Sequence, residues 1–164
     1  VVIFGSGSAA LDMAYECARA GVDHITLLDE DKQRAQANLD AFLEAFAKNR
    51  MAILDTEQSR TGHVTATKAY EHTNFSYGSL QALGSIQQAD LILSFLPQTT
   101  VLLDYREVFR SSQIVCDPWG RNASLIEQAL ACDCDVVPSE EIMNQWGTAC
   151  ANLLIEFGNA GLGS

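Results

Sequence analysis

Short apolar runs alternate along this chain with longer segments whose apolar residues recur every three or four positions. Val1–Phe4, His24–Leu28 and Leu91–Phe95 are apolar runs, whereas Ala9–Ala20 and Asp31–Asn49 carry the longer spacing. Runs of four to eight apolar residues are typical of buried strands, and spacing by three and four is typical of amphipathic helices. The pattern therefore predicts strands that are each followed by a helix.

The rest of the chain continues this alternation. It predicts strands at Asn74–Tyr77, Ile114–Cys116 and Asp135–Val137, and helices at Leu80–Gln88, Ser124–Ala131 and Ser139–Phe157. The segment from Met51 to His72 is the least regular, with short strands expected around Met51–Leu54 and Val64–Ala66. About six strand–helix alternations predict one α/β domain over residues 1–164, of Rossmann type: doubly wound, with a mainly parallel sheet and helices on both faces.

A glycine-rich turn follows the first predicted strand. Residues Gly5 to Ala10 read Gly-Ser-Gly-Ser-Ala-Ala and fit the dinucleotide fingerprint G-x-G-x-x-G/A. In this fingerprint Gly5 permits the tight turn, Gly7 lets a pyrophosphate approach the backbone, and a small Ala10 lets helix and strand pack closely. The free N–H groups of the next helix also favour phosphate. The candidate cofactor-binding residues here are Gly5, Ser6, Gly7, Ser8 and Ala9.

An acidic residue stands where the fingerprint needs one. Asp29 ends the second predicted strand, and Glu30 and Asp31 follow it. A carboxylate at this position can accept hydrogen bonds from ribose hydroxyls and would repel the 2′-phosphate of NADP. The expected cofactor is therefore NAD. The alternative is that Asp29 turns outward and that Lys32 or Arg34 meets a phosphate.

The net charge limits the possible binding partners, and the cysteine content indicates the cellular compartment. The net charge of −11 disfavours binding to nucleic acid or to an anionic membrane surface, so a small-molecule substrate is expected. Five cysteines, an odd number scattered through predicted helices and strands, indicate reduced thiols and a cytoplasmic location. Cys132 and Cys134 lack a second pair at ligand spacing, so no metal site is expected.

Several segments together resemble the cofactor domain of the shikimate/quinate dehydrogenases. The resemblance begins at the glycine turn and Asp29 and continues through Ala89–Ile92, which is similar to the family's strand before the nicotinamide loop. Further similar segments are Ile25–Asp29, Asp31–Ala35, Asp117–Pro118, Ser124–Ile126, Ala129 and Met143–Gln145. The resemblance implies that Phe95, Leu96 and Pro97 form the loop at the nicotinamide and that Gln145 reaches the substrate.

The chain also departs from the family. Asp29-Glu30-Asp31 replaces the usual Asn-Arg-Thr and is similar to the NAD-using quinate members; Trp119-Gly120 stands near the place of the usual Tyr-x-Pro. The family's catalytic Lys and Asp belong to an N-terminal substrate domain that this sequence does not contain, and the chain opens within an apolar strand. We therefore expect a cofactor domain from a longer polypeptide, inactive alone, and assign no catalytic residue.

The resemblance implies an NAD(P)-dependent dehydrogenase that transfers hydride between nicotinamide and a cyclic hydroxy acid. Two other functions fit the same sequence. One is the cofactor domain of another Rossmann dehydrogenase, acting on amino or keto acids. The other is a nucleotide-binding sensor without catalysis, because a fold alone does not set a function. The sequence leaves the oligomeric state open.

Overall fold

A computed structural model describes residues 1–45 and 73–145 of the chain. The strands are β1 (Val2–Phe4), β2 (His24–Asp29), β3 (Asn74–Ser79), β4 (Leu91–Ser94), β5 (Ile114–Cys116) and β6 (Asp135–Val137). The helices are α1 (Ser8–Arg19), α2 (residues 32–45), α3 (Leu83–Gln88), α4 (Ala123–Ala131) and α5 (residues 139–145).

All six described strands form one parallel sheet in the order β3-β2-β1-β4-β5-β6. This is the strand order of the Rossmann fold, so the predicted fold class is confirmed. The order reverses at β1, which pairs with β2 on one side and with β4 on the other. Ligands of open parallel sheets bind in the crevice at such a switch point, beyond the carboxyl ends of the strands.

The sheet is buried on both faces by helices, as predicted. On one face Ile3 and Leu27 pack with Ala10 and Ala14 of α1 and with Leu39 of α2. The other face carries the cluster Phe4, Ile92, Ile86, Leu125 and Ala129, the last three from α3 and α4. The small side chains of Ala10 and Ala14 let α1 pack closely against the sheet.

Two predicted boundaries are wrong by two or more residues. β3 runs to Ser79 rather than to Tyr77, because Gly78 and Ser79 pair with the last two residues of β2. Consequently α3 begins at Leu83 and not at Leu80, whose side chain is buried in the core as the chain turns. Pairing with β2 extends β3 beyond the residues whose own pattern indicates a strand, and a single-sequence pattern does not contain that partner.

Other predictions lie outside the described residues. These are the short strands at Met51–Leu54 and Val64–Ala66, residues 46–49 of the second helix, and the closing helix beyond residue 145. Within the described residues, no helix has the length and apolar character needed to cross a membrane.

Candidate functional site

The turn after β1 depends on Gly5. Its φ is +103°, a conformation that side-chain-bearing residues rarely adopt, and a Cβ there would lie 3.3 Å from the backbone of Phe95. The Gly5 N–H donates to the carbonyl oxygen of Leu28 at 2.7 Å. Gly5 thus lets the chain leave β1 sharply while it contacts the end of β2 and the segment that follows β4, as the fingerprint predicts.

Gly7 plays a different part. It is the N-cap of α1, with φ −74° and ψ 179°, values open to any residue. A Cβ at Gly7 would meet no atom within 4 Å, and both Gly7 and Ser8 are exposed. No side chain caps the start of α1, and the N–H groups of a first helical turn have no partner within the helix, so a phosphate could approach them through this open space.

Ser6, between the two glycines, connects the turn to β2. Its hydroxyl donates to Oδ2 of Asp29 at 2.6 Å, and both residues are buried, at 1% and 3% exposure. The side-chain amide of Asn38 on α2 donates to the Ser6 carbonyl oxygen at 2.8 Å. The glycine turn is thereby fastened both to the end of β2 and to α2.

The second oxygen of Asp29 is also engaged. Oδ1 accepts the backbone N–H of Asp31 at 3.1 Å and a hydrogen bond from the guanidinium of Arg34. Asp31 in turn caps α2, because its carboxylate accepts the N–H groups of Gln33 and Arg34 at 2.9 and 3.2 Å. Asp29 therefore does not turn outward in this structure, and Arg34 pairs with it instead of standing free.

The charge state of Asp29 follows from these contacts. Burial raises the pKa of the Asp29 carboxyl, but hydrogen bonds from Arg34, Ser6 and the Asp31 N–H, together with the charge of Arg34, lower it by more. The net pKa lies below the ordinary value, so Asp29 is ionised at neutral pH. The site thus holds a permanent carboxylate next to the glycine turn.

The loop after β4 lies beside Gly5. The Phe95 N–H donates to the carbonyl oxygen of Phe4 at 2.8 Å. The side chains of Phe95 and Leu96 are buried, at 8% and 1% exposure, whereas Pro97 is exposed. The structure therefore brings the glycine turn, Asp29 and this loop to adjacent strand ends. A ligand there would meet backbone atoms of the loop more than its side chains.

Asn122, which sequence reasoning missed, secures this loop. Its side-chain amide donates to the Leu96 carbonyl oxygen at 3.1 Å, and its backbone N–H donates to Oδ2 of Asp117 at 2.5 Å. Asp117 is 2% exposed, and its other oxygen accepts no hydrogen bond from the described residues. Asn122 thus holds the loop after β5 to the loop after β4, and Asp117 fixes the backbone of Asn122 within its own loop. No local pattern signals this role for Asn122.

Asn38 and Arg34 could have been identified from the sequence as residues near Asp29. They are four residues apart on α2, and such residues lie on one face of a helix. Since Asp31 caps the helix, that face lies over the end of β2 and can reach Asp29 and Ser6. Polar residues at this spacing, after an acidic strand end, could have been assigned to the site.

An aromatic side chain borders the other side of the loop. Trp119, in the loop after β5, packs edge-on against Phe95 with ring centroids 5.4 Å apart. Its indole is 39% exposed, and the guanidinium of Arg121 lies 4.6 Å from the ring centroid. Gln145, expected at the substrate, is an exposed residue of α5. Among the described residues, no hydrogen bond joins Gln145 to the turn or loop residues above.

Two of the described cysteines form hydrogen bonds to backbone carbonyl groups. Cys17, Cys116, Cys132 and Cys134 are free thiols. The thiols of Cys132 and Cys134 donate to the carbonyl oxygens of Arg106 and Arg110. Across residues 1–45 and 73–145, no group of three or more His, Cys, Asp or Glu side chains could hold a metal ion.

Comparison with solved structures identifies similar folds. The chain is similar to quinate dehydrogenase from Corynebacterium glutamicum in complex with NAD, with a TM-score of 0.58 and 17% identity over 87% of this chain and 44% of that one. It is similar to the ligand-free 5-ketofructose reductase of Gluconobacter sp. strain CHM43, with a TM-score of 0.58 and 16% identity over 87% of this chain and 45% of that one.

A third similar structure is shikimate 5-dehydrogenase from Thermus thermophilus in complex with NADP(H) and shikimate. The TM-score is 0.55 and the identity 15%, over 87% of this chain and 43% of that one. No protein-family model matches the sequence, and a comparison with curated proteins finds no match. The chain spans less than half of each of these three proteins. At identities this low, the similarity establishes a fold related to that of the shikimate and quinate dehydrogenases.

Proposed function

We propose that this chain is the cofactor domain of an oxidoreductase and that it binds NAD. The observation that carries the proposal is the open backbone at Gly7, one residue from the buried Ser6–Asp29 hydrogen bond. The open N–H groups suit the pyrophosphate, and the carboxylate at the end of β2 suits the adenosine ribose. The three similar solved structures support a nicotinamide dinucleotide as the ligand, since they share this fold and one is in complex with NAD and another with NADP(H).

The residues that would hold the dinucleotide occupy two strand ends. Gly5, Ser6, Gly7, Ser8 and Ala9 surround the pyrophosphate position, and Asp29 lies at the ribose. Across the switch point, Phe95, Leu96 and Pro97 border the nicotinamide half. When bound, NAD supplies a ring that accepts or donates hydride. This chain orients that ring through a loop whose backbone is held by Phe4 and Asn122.

A preference for NAD over NADP follows from charge. Asp29, Glu30 and Asp31 place three carboxylates around the end of β2, against the two cations Lys32 and Arg34. The 2′-phosphate of NADP would enter a net negative region that is partly desolvated. Neutral ribose hydroxyls gain charge-assisted hydrogen bonds of about 1.5–3 kcal/mol from a carboxylate. We expect at least about a tenfold preference for NAD, or about 1.4 kcal/mol.

The substrate is proposed to be a cyclic hydroxy acid or related alcohol, oxidised or reduced by hydride transfer. Support comes from the resemblance of Met143–Gln145, and of Ala89–Ile92 before the nicotinamide loop, to the shikimate/quinate family. Gln145 is the proposed substrate-contacting residue. We assign no catalytic residue, so the chain by itself should show no turnover with shikimate or quinate and NAD.

Gly7→Val tests the dinucleotide site. Because a Cβ at Gly7 meets open space, the variant should fold and yet place its branched side chain over the N–H groups of α1. We expect at least about a hundredfold loss of NADH affinity by fluorescence titration, about 2.7 kcal/mol, with unchanged circular dichroism. Unchanged NADH affinity in a folded variant would exclude this site.

Asp29→Ser tests the proposed preference for NAD over NADP. The variant removes the carboxylate but keeps a hydroxyl of small size. Calorimetric affinities for NADH and NADPH should show that the parent prefers NADH and that the variant loses most of this preference. Equal affinities in the parent would contradict the role of Asp29.

A further inference from the structure

A cleft of about 370 Å³ opens between the loop after β5 and the start of α5. Pro118, Trp119 and Arg121 line it from the loop, and Ser139, Glu140 and Met143 line it from the helix. We propose that this cleft binds the substrate and that Arg121 selects one that carries a carboxylate. The inference rests on the proposed function, because it places the substrate next to the nicotinamide half of the dinucleotide.

The position of the cleft follows from the strand order. The glycine turn and Asp29 take the adenosine half over β1 and β2, so the nicotinamide half extends over β4 and β5. Phe95 follows β4 and touches Gly5 on one side and Trp119 on the other. Trp119 is therefore one aromatic contact away from the turn that anchors the dinucleotide. A molecule in the cleft lies on the nicotinamide side of the crevice.

The walls of the cleft are held in place before any ligand binds. Gly120 has a φ of +62°, and a Cβ at this position would lie 3.2 Å from Oγ of Ser139. The loop after β5 therefore lies directly against the start of α5. Asp117 secures the same loop through its hydrogen bond to the Asn122 N–H. A pre-formed cleft loses little entropy when a small molecule is bound.

Arg121 is the group in this cleft that suits an anion. Its guanidinium lies 4.6 Å from the Trp119 ring centroid, and among the described residues it forms no ion pair. Stacking on the indole restrains the Arg121 side chain. The N–H groups at the edge of the guanidinium plane stay available to a ligand. A guanidinium held in this way can donate two parallel hydrogen bonds to one carboxylate.

The net charge of the chain and the side chain of Glu140 add to the selectivity for one carboxylate. The chain carries a net charge of −11, so an anion is repelled by most of the surface and needs a local cation to bind. Glu140 lines the same cleft and would repel a second negative charge on the ligand. The cleft therefore favours a monocarboxylate, whose remaining surface can lie against Trp119 and Met143, over a dicarboxylate.

Intrinsic fluorescence gives a direct readout, since the chain contains two tryptophans, Trp119 and Trp146. In the full chain carrying Trp146→Phe, the remaining emission reports on the cleft. We would titrate it with shikimate, quinate and benzoate, and with the uncharged amide of each acid. At least one acid should change the emission saturably, and its amide should bind at least tenfold more weakly.

Variants assign the effect to Arg121. Arg121→Gln should weaken acid binding at least tenfold, and Arg121→Lys should give an intermediate loss, because the charge remains but the planar fork is lost. The matched control is Arg106→Gln, a likewise exposed arginine that is paired with Asp104 outside this cleft; it should bind within twofold of the parent. Glu140→Gln should improve binding of the dicarboxylate phthalate.

Two results would overturn the inference: no saturable change with any of the three acids, or equal losses in the Arg121→Gln and Arg106→Gln variants. An NADH titration of the same protein separates this failure from that of the proposed function. If NADH binds and none of the acids binds, only the proposed role of the cleft is contradicted. Acid binding without NADH binding contradicts the dinucleotide site and leaves the cleft as a carboxylate site.

Discussion

The guanidinium of Arg34, on the second helix, donates to the carboxylate of Asp29 at the end of the second strand. The two residues differ strongly in environment: the side chain of Arg34 is 53% exposed and that of Asp29 only 4%. The pair therefore places a buried carboxylate beneath a cation that water can reach. Because the cation compensates part of the Asp29 charge, the pair would set how strongly this end of the proposed dinucleotide site repels a phosphate.

Arg34→Gln should therefore increase discrimination against NADP. Without the guanidinium, Asp29 keeps its charge and loses its compensating cation, so repulsion of a 2′-phosphate grows. We expect the ratio of NADPH to NADH dissociation constants to rise about tenfold, or about 1.4 kcal/mol, measured by calorimetry.

Lys32→Gln is the matched control for this change. Lys32 lies on the same turn of helix, but its ammonium is 6.0 Å from the ring centroid of Tyr77 and forms no hydrogen bond with Asp29 among the described residues. The ratio should change less than about threefold, under about 0.7 kcal/mol. If Arg34→Gln lowered the ratio, Arg34 would be binding the phosphate rather than compensating Asp29.

Stability should depend on pH through Asp29. Its folded-state pKa lies below the ordinary value, since hydrogen bonds from Arg34, Ser6 and the Asp31 N–H, together with the charge of Arg34, outweigh the effect of burial. A lowered carboxyl pKa stabilises the fold above the unfolded-state pKa of about 4, and this contribution is lost as the pH falls through the folded-state pKa.

Asp29→Asn should thus lower the free energy of unfolding by about 1–2 kcal/mol near pH 7, because charged hydrogen bonds are lost but the exposed Arg34 is screened by solvent. Urea denaturation at a series of pH values should show the difference shrinking below about pH 4. Glu30→Gln, at the exposed neighbouring position, should stay within about 0.5 kcal/mol of the parent at pH 7. A pH-independent difference for Asp29→Asn would contradict the charged interaction.

The two glycines of the turn should respond differently to alanine. Gly5→Ala forces a side chain into a φ of +103° and against the backbone of Phe95, which should cost about 1–3 kcal/mol of stability. Gly7→Ala adds a methyl group in open space at an ordinary φ and should stay within about 0.5 kcal/mol. Chemical denaturation of both variants measures this contrast, and equal losses would contradict the turn geometry.

Thiol reactivity should follow burial. Burial raises the pKa of Cys116 to about 11, with the nearby Asp117 adding to the effect, and burial also raises the pKa of Cys134. Thiolates react and buried neutral thiols do not. In a Cys150→Ser background at about pH 8, a chromogenic disulfide should label the half-buried Cys132 first. Rapid labelling of Cys116 in the native protein would contradict its burial.

The order of strands and helices could be predicted from the sequence because it depends on local periodicity. Leu39 is in the core, as the three- and four-residue spacing of the second helix requires, and Asp31 caps that helix with its own side chain. The end of β3 could not be predicted, because Gly78 and Ser79 become strand only by pairing with β2. Local patterns contain helix caps and apolar faces; they do not contain the partner of a strand.

By itself, the sequence determined the α/β class, the glycine turn and an acidic residue at the end of the second strand. Each depends on residues close in the chain, such as Gly5 after an apolar run. Only the tertiary structure decided that Ser6 and Arg34 occupy the two oxygens of Asp29, and that Asn122 holds the Leu96 carbonyl. Ser6 and Asn122 are each more than 20 residues from their partners, and even Arg34 reaches Asp29 only because α2 packs over the end of β2. Many polar side chains of the same type could form these hydrogen bonds. Which of them do so is decided by tertiary packing, which only the folded chain has.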